Sequence, residues 1–353
     1  MNLSKEELQR YSRHLLMDEF GEDAQLKLKA ARVMVVGAGG LGCPCLLYLA
    51  VAGIGVLGIA DDDSISVSNL QRQVLFDTED VGKSKAETAR DKLLKKNPLI
   101  KIYVHSKITK QNVLATLQDY DLVIDGSDTL STRYLLNDAC VIAGKPYIYG
   151  ALFKFEGQVS TFNYKDGPTY RCLYPQVPLA GEVPACGEAG VLGVLPGIIG
   201  TWQATEAIKV ITGVGEPLSG KLLIMNLLSN SINTIAFKTN KSNKAIQELG
   251  LYKESCETDV QSIDGRTLES WLQNTEIQLI DVREEDEYER FNIGGRNLPF
   301  SELEDKPDAA GLETKTVVLC QTGNRSLKAV EILKNIYPHL EIFNLKGGIQ
   351  ALL

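Results

Sequence analysis

The chain has 353 residues, of which 44% are hydrophobic and 23% charged, and its formal net charge is −8. The length exceeds what one core usually supports, so we expect two domains of an ordinary soluble globular protein. Residues 1–256 hold 27 basic and 27 acidic side chains, whereas residues 257–353 hold 10 and 18. The last quarter is therefore expected to be a separate acidic module, which argues against nucleic acid as a partner there.

The N-terminus lacks an apolar signal core, and we expect a cytoplasmic protein. Residues 33–60 carry no charge over 28 positions, which is long enough for a membrane span. Seven glycines interrupt this run, and its pattern divides into strand, helix and strand, so buried parallel-sheet structure is the better interpretation. Seven cysteines without a dense framework favour free thiols over disulfides.

The first half of the chain alternates between strand and helix patterns. Ser4 and Glu7 form a capping box that opens a helix through about Leu16. The next predicted elements are strand 32–36, helix 41–52, strand 56–61, helix 83–96, strand 100–104, helix 111–118, strand 121–125 and helix 130–143. This alternation predicts a doubly wound, Rossmann-like α/β sheet.

The pattern changes at Tyr147, where antiparallel hairpins join the parallel core. The predicted pairs are 147–154 with 158–164 and 221–228 with 231–238; between them lie an irregular segment, 165–190, and helix 197–212. A loop of that length inside a compact domain is usually functional. We therefore predict a first domain over 1–240, a polar linker over 241–257 and a small α/β domain over 258–353.

A glycine-rich turn follows the first predicted strand. Gly37, Gly39 and Gly42 fit the spacing G-x-G-x-x-G, Gly40 adds a fourth glycine, and Asp61 comes 19 residues after Gly42. Such glycines let the backbone approach a phosphate at a helix N-terminus, and the acid accepts ribose hydroxyls. The turn therefore indicates a nucleotide site, the alternative being a purely structural turn.

Further polar residues are predicted at the carboxyl edge of the same sheet, namely Asn69, Arg72, Lys85 and Asp128. Cations suit a triphosphate better than a dinucleotide, and an acid at a strand end suits a magnesium ion that bridges phosphates. Alternatively, Lys85 is a solvated surface charge, as Arg13 of the first predicted helix would be, and Asp128 caps the helix that begins near Leu130.

These residues resemble the adenylyltransferases that activate ubiquitin-like sulfur-carrier proteins in molybdopterin and thiazole biosynthesis. The resemblance covers about residues 3–238 and rests on Arg10-Tyr11-Ser12-Arg13, Gly37-Ala38-Gly39-Gly40-Leu41-Gly42, Asp61 to Asp63, Asn69-Leu70-Gln71-Arg72-Gln73, Lys85 and Asp125-Gly126-Ser127-Asp128. It implies a homodimer that binds magnesium ATP and adenylates the C-terminal glycine carboxylate of the carrier.

The resemblance also implies roles for the matched residues. Asp61 would bind the ribose, Arg13 would reach the phosphates from the other subunit, and Asp128 would be linked to magnesium. The phosphate ligands would be Asn69, Arg72 and Lys85. One position departs from the family, because Thr129 stands where asparagine is usual, whereas Arg133 is retained.

Family members commonly hold zinc with two Cys-x-x-Cys pairs. Only Cys172 and Cys256 remain here, and a closed zinc site needs four ligands, so we expect no zinc. Cys186 matches the family cysteine that links covalently to the carrier, the alternative being an incidental loop thiol.

Cys320 ends the apolar strand 316–319, and the loop after it leads into a helix that begins near Ser326. Backbone amides, a helix N-terminus and Arg325 would favour a thiolate or persulfide anion. The loop Cys-Gln-Thr-Gly-Asn-Arg-Ser resembles the active loop of rhodaneses, as do Asp281-Val282-Arg283-Glu284, Ile293 to Pro299 and Leu345-Lys346-Gly347-Gly348-Ile349.

The combined interpretation is an adenylyltransferase fused to a rhodanese. We expect catalysis to depend on Arg13, Arg72, Lys85, Asp128, Cys186 and Cys320, with ATP and Mg²⁺ as cofactors. A cysteine desulfurase or similar donor would load Cys320 with sulfur. The alternatives are an adenylyltransferase whose rhodanese-like domain only docks a partner, and a nicotinamide-dependent oxidoreductase.

Overall fold

The computed structural model describes residues 2–175, 190–250, 252, 260–274 and 277–352. The chain divides into two compact units, Met1–Glu254 and Ser255–Leu353. Each has its own sheet and its own apolar clusters.

One sheet in the first unit runs in the order β3-β2-β1-β4-β5-β6-β7-β8. Pairing is parallel from β3 through β5 and antiparallel from β5 through β8. The strands are β1 Arg32–Val36, β2 Val56–Ala60, β3 Lys101–His105, β4 Leu122–Asp125, β5 Tyr147–Phe153, β6 Glu156–Phe162, β7 Lys221–Asn226 and β8 Ser231–Ala236.

Helices cover both faces of this sheet. Alternate residues of β1 accordingly pack into two different apolar clusters. Val33 and Val35 pack into one cluster, whereas Met34 and Val36 pack into another. The helices are α1 Lys5–Arg10, α2 Ser12–Leu15, α3 Gly21–Ala30, α4 Gly42–Ala52, α5 Lys85–Lys96, α6 Val113–Leu117, α7 Leu130–Ala143, α8 Tyr170–Leu173 and α9 Val194–Thr212. The predicted doubly wound α/β class is confirmed.

The N-terminal helix differs from its prediction. The Ser4–Glu7 capping box is present, but α1 ends at Arg10 and α2 begins at Ser12. Helix α3 has no predicted counterpart, and its weak amphipathic pattern explains why. Helix α9 begins at Val194 rather than at 197, because Pro196 is tolerated in the first turn, where no intrahelical amide bond is required.

Part of the stretch predicted as a linker packs against the first unit. A short 3₁₀ helix spans Lys241–Lys244, and Leu249 and Tyr252 contact the cluster that lines one face of the sheet. The Tyr252 hydroxyl donates to Asp138 Oδ2 at 2.6 Å. The domain boundaries at 240 and 258 stay a prediction.

A parallel five-stranded sheet forms the second unit, in the order β11-β10-β12-β13-β9. Its strands are β9 Ser262–Ile263, β10 Gln278–Asp281, β11 Arg296–Asn297, β12 Thr316–Leu319 and β13 Ile342–Leu345. The helices are α10 Gly265–Asn274, α11 Glu285–Arg290, α12 Phe300–Asp305 and α13 Asn324–Ile336. This unit is the predicted small α/β domain.

Candidate nucleotide and sulfur sites

The glycine turn between β1 and α4 brings two backbone segments into close contact. Gly37 has φ +94°, and a Cβ there would lie 2.6 Å from the Gly126 carbonyl oxygen. At Gly42 a Cβ would lie 1.9 Å from the Gly37 carbonyl oxygen. Both positions therefore require glycine for the turn itself. Gly39 differs, because an added Cβ would meet only Gln73 Nε2, at 3.6 Å.

A cavity of about 520 Å³ opens beside this turn. Most of the predicted nucleotide-site residues line it, namely Gly37, Gly39, Gly40, Asp61, Asn69, Arg72, Lys85 and Asp128. The described lining does not include Gly42, which lies beneath the turn, or Arg13, which is exposed on α2. The structure thus brings together residues that are up to 91 positions apart in sequence.

Asp61 is held in place by the backbone at the end of β2. Its Oδ2 accepts a hydrogen bond from the Ala38 amide at 2.7 Å, and its Oδ1 accepts one from the Asp63 amide at 2.9 Å. Burial raises the pKa of this carboxyl despite these hydrogen bonds. The carboxylate therefore braces the glycine turn and lies at the cavity wall.

Lys85 is not the solvated surface charge of the alternative interpretation. Its side chain is only 7% exposed, at the first position of α5, and its Nζ pairs with Asp63 Oδ2 at 2.7 Å. A buried ammonium with one exposed carboxylate partner remains available to a phosphate that enters the cavity.

Arg72 and Asn69 approach from the segment after β2. A 3₁₀ turn over Val67–Asn69 is closed by the Asn69 side chain, whose Oδ1 accepts from the Ser66 amide at 3.2 Å. Arg72 follows this turn, and its Nη1 donates to the Ser68 carbonyl at 3.2 Å. The remaining guanidinium donors can serve an anion.

Asp128 does not cap helix α7, which was its alternative role. Thr129 is the cap, and its side chain accepts from the Thr132 amide at 3.4 Å. The Asp128 carboxylate is exposed at the cavity wall instead. Thr129 thus acts as the helix cap, a role that the asparagine usual in the family would also fill.

A buried carboxylate supports the floor of the cavity. Asp125 Oδ1 accepts from the Ser127 amide and hydroxyl, and its Oδ2 accepts from the Tyr147 hydroxyl at 2.5 Å. Burial raises the pKa of Asp125, although Arg133 and these hydrogen bonds oppose the shift. The network holds the end of β4, where Ser127 and Asp128 enter the site.

Two further cations, Lys107 and Arg133, line the cavity; sequence reasoning missed Lys107 and noted Arg133 only as a residue retained from the family pattern. Arg133 is buried on α7, with its guanidinium 5.5 Å from the Tyr149 ring centroid. Lys107 follows β3, and its position after a parallel strand was the signal that could have identified it. With Arg72 and Lys85 they give the lining four cations, which stand beside the carboxylates of Asp61, Asp62, Asp63 and Asp128. Such a mixed lining can bind phosphates together with a metal cation.

Burial makes the helical cysteines unreactive. It raises the pKa of Cys43 to about 12 and raises that of Cys45 and Cys140 further. Cys172 differs: burial opposes the shift, but hydrogen bonds from Thr169 and Asn240 lower its pKa.

The geometry does not test what was predicted for two of the cysteines. Cys186 and Cys256 lie outside the described residues. Within the described ranges, no group of three or more His, Cys, Asp and Glu side chains could hold a metal ion.

In the same described ranges, no helix is long and apolar enough to cross a membrane.

Cys320 lies at the end of β12, inside a loop of backbone donors. Its Sγ accepts from the Gly323 amide at 3.1 Å and lies 3.4 Å from the Ser326 hydroxyl, whose single hydrogen has a nearer acceptor in Asn344 Oδ1. The Ser326 hydroxyl also lies 2.7 Å from Asn344 Oδ1. Gly323 has φ +94° and is the N-cap of α13, so the loop curls over the sulfur at a helix N-terminus.

Family models match both units of the chain. A model of the ThiF family matches residues 11–247, and a model of the rhodanese-like domain matches residues 265–353. The chain belongs to the ThiF family. Its second unit is a rhodanese-like domain, and the predicted two-part architecture is confirmed.

Relatives of this ThiF-family chain share both domains. A probable adenylyltransferase/sulfurtransferase, MoeZ of Mycobacterium tuberculosis, is 44% identical over 99% of this chain and 93% of its own length. MOCS3 of Drosophila persimilis, an adenylyltransferase and sulfurtransferase, is 41% identical over 99% of this chain and 84% of its own. The predicted enzyme class, a nucleotidyltransferase with sulfurtransferase activity, agrees with these names.

Other relatives match the ThiF-family unit alone. A sulfur carrier protein adenylyltransferase of Thermus thermophilus is 47% identical over 68% of this chain and 91% of its own length. Among solved structures, E. coli MccB with ATP superimposes with a TM-score of 0.59 at 25% identity, over 67% of this chain and 74% of that chain.

Proposed function

We propose that this ThiF-family protein activates a ubiquitin-like sulfur-carrier protein with ATP and then transfers sulfur to it. The carrier's C-terminal glycine carboxylate would become an acyl-adenylate and then a thiocarboxylate. The observation that carries the first step is the cavity, where the glycine turn, Asp61 and four cations face one space. The relatives' names support both steps.

The adenylation step follows from the charges of the cavity. A carboxylate oxygen of the carrier attacks the α-phosphorus of ATP, a new P–O bond forms, and pyrophosphate leaves with the electrons of the broken bond. Two anions approach each other, so Arg72, Lys85 and Asn69 stabilise the transition state by binding phosphate oxygens. No general base is required, because the attacking carboxylate is already ionised.

A magnesium ion fits the acidic side of the cavity. Asp128 presents an exposed carboxylate there, and Mg²⁺ prefers carboxylate and phosphate oxygens. The ion would offset the charge that accumulates on the leaving pyrophosphate. Zinc is not expected, since only Cys172 and Cys256 remain of the four cysteine ligands usual in the family.

Sulfur transfer is assigned to Cys320. Its thiolate would take a sulfur atom from a persulfide donor, such as a cysteine desulfurase, and the donor's thiolate would leave. The terminal sulfur of the Cys320 persulfide then attacks the activated carbonyl and releases AMP. Cys186 would cleave the resulting acyl-disulfide, which forms a Cys186–Cys320 disulfide that a dithiol reductant must reopen.

Arg13 completes the proposed site from a second subunit. It is exposed on α2 and is not part of the described cavity lining of its own chain. A homodimer would place this cation against the phosphates of the partner's ATP. We also propose a cytoplasmic location, which the free thiols of the described cysteines support.

The two alternative functions would require different features of the cavity and of the Cys320 site. A dinucleotide oxidoreductase would not need a cavity with cations on several sides. If the rhodanese-like domain only docked a partner, the sulfur of Cys320 would not need the Gly323 amide, which donates to it at the N-terminus of α13. This donor favours chemistry at the thiol over docking.

The test incubates candidate molybdopterin-type and thiazole-type carriers with the enzyme, ATP and a persulfide donor, and follows the carrier by mass spectrometry. We expect an adenylate mass first and a thiocarboxylate mass afterwards. Cys320→Ala should keep the adenylate and lose the thiocarboxylate, whereas Cys140→Ala, a buried control, should keep both. Thiocarboxylate formation at the normal rate by Cys320→Ala would defeat the sulfur-transfer proposal.

A further inference from the structure

Arg325 is the one charged residue in the loop from Cys320 to Ser326. Arg325 and Cys320 interact electrostatically, and Glu287 of α11 offsets part of this interaction, because it binds the guanidinium with both carboxylate oxygens. Nη1 donates to Oε2 and Nη2 donates to Oε1, each at 2.7 Å. Hydrogen bonds from Arg325 lower the pKa of Glu287, so the pair is ionised at neutral pH.

The surroundings of this pair are acidic rather than neutral. Helix α11 spans only Glu285–Arg290, and Glu284 precedes it as the N-cap. The charge of Glu284 also acts on Arg325. The side chains of Arg325 and Glu287 are 32% and 29% exposed, so an incoming sulfur donor meets the pair at the protein surface.

We propose that Glu287 determines the sulfur donor that Cys320 accepts, by neutralising Arg325. The loop then disfavours small sulfur-bearing dianions such as thiosulfate and accepts sulfur from a thiol persulfide. Glu287 is a positioning residue that acts through Arg325. This inference rests on the proposed role of Cys320 in sulfur transfer.

The two donors differ in the charge that the loop must stabilise. With thiosulfate, the Cys320 thiolate attacks the outer sulfur, a new S–S bond forms, and sulfite leaves with the electron pair of the old one. Three negative charges meet in that transition state. With a thiol persulfide the same bonds change, but the leaving group is a thiolate and fewer charges meet. A guanidinium free of its carboxylate would therefore favour thiosulfate more strongly.

The chain offers a matched pair of substitutions in α11. Glu287→Gln removes the charge that neutralises Arg325 and retains an oxygen that can accept the Glu284 amide, as Glu287 Oε2 does at 3.2 Å. Asp286→Asn removes one charge from the same helix, but its carboxylate pairs with Arg290 instead, at 2.8 Å. The two variants thus separate release of Arg325 from a general loss of negative charge.

The experiment measures kcat and KM of the full-length protein with thiosulfate and with cysteine persulfide, using cyanide as the acceptor. We expect Glu287→Gln to raise kcat/KM for thiosulfate about fivefold, less at high salt, and to leave the persulfide value within about twofold. Asp286→Asn should leave both values within about twofold. Adding Arg325→Gln to Glu287→Gln should remove the gain.

Three results would overturn the inference. One is an equal gain in Glu287→Gln and Asp286→Asn, and another is an equal gain with both sulfur donors. The third is a gain that survives Arg325→Gln. Intact-mass measurement of the wild-type protein separates these results from failure of the proposed function. If Cys320 gained no sulfur atom from either donor, its role in sulfur transfer would be wrong, and this inference would fall with it.

Discussion

The glycines of the glycine turn differ in what their positions require. Gly37 and Gly42 are required by the backbone, because a Cβ at either would lie within 2.6 Å of a carbonyl oxygen. Gly39 has no such contact and leaves room beside the cavity. The motif spacing alone cannot separate a glycine that shapes the turn from one that makes space for a ligand.

Gly39→Val tests this distinction. The added methyl groups would occupy space that a phosphate needs, so we expect ATP–pyrophosphate exchange to fall by at least about 100-fold. Sulfur uptake by Cys320 and the melting temperature should stay near their wild-type values. Gly197→Val is the control, since a Cβ at that position meets nothing within 4 Å and the residue is outside the described lining. Normal exchange by Gly39→Val would contradict the assignment.

At the scale of elements, the chain uses one arrangement twice. Strand β1 ends at Val36 and leads into α4 through Gly37, and strand β12 ends at Leu319 and leads into α13 through Gly323. Both Gly37 and Gly323 have φ +94°, and both turns direct backbone amides and a helix N-terminus toward one point. An anion would be stabilised in each case, and the proposed ligands are a phosphate at the first turn and a sulfur anion at the second.

The loop after Cys320 also depends on Gly348, which follows strand β13. Gly348 has φ +60°, and a Cβ there would lie 2.3 Å from the Cys320 carbonyl oxygen and 2.6 Å from the Thr322 amide nitrogen. Gly348→Ala should therefore displace the loop and slow sulfur uptake by Cys320 about tenfold or more, with ATP–pyrophosphate exchange unchanged.

Gly294→Ala is the matched control for this prediction. Gly294 also has positive φ, at +89°, but a Cβ there meets nothing within 4 Å. It should carry a strain of about 1 kcal/mol without displacing the Cys320 loop. Equal loss of sulfur uptake in the two variants would show that strain, and not the contact with the loop, is responsible.

At the scale of the whole molecule, the proposed site needs two subunits. Arg13 and Lys85 would serve one ATP from different chains, so a subunit that lacks Arg13 can be complemented by one that lacks Lys85. We expect Arg13→Ala and Lys85→Met to be inactive in ATP–pyrophosphate exchange when each is alone.

Mixing the two variants, after dissociation and reassociation, should restore activity. Half of the dimers would be mixed, and each mixed dimer would have one intact site, so about one quarter of wild-type exchange should return. Mixing Arg13→Ala with Arg13→Ala carrying a different affinity tag gives the baseline. If the mixture of Arg13→Ala and Lys85→Met stayed at that baseline, Arg13 would not act across a dimer.

Much of this protein follows from the sequence, because strong local patterns and family motifs are both present. Strand β1, the glycine turn, Asp61 and the Cys320 loop are recognisable from residue type and spacing, since parallel strands and phosphate turns constrain both. Helix α7 was predicted at its observed bounds, Leu130–Ala143. Helix α3 was not, because its burial depends on packing against other helices rather than on a clear apolar stripe.

The tertiary structure alone decided which charged side chains are buried and which of them pair. Sequence spacing left Lys85 between a surface lysine and a phosphate ligand, and Asp128 between a cap and a cavity carboxylate; burial and Thr129 resolved the placement of both. It also paired Arg325 with Glu287, which lies 38 positions earlier. Residue types and local spacing are written in the chain, but which charges meet depends on contacts between distant segments, and those form only in the folded protein.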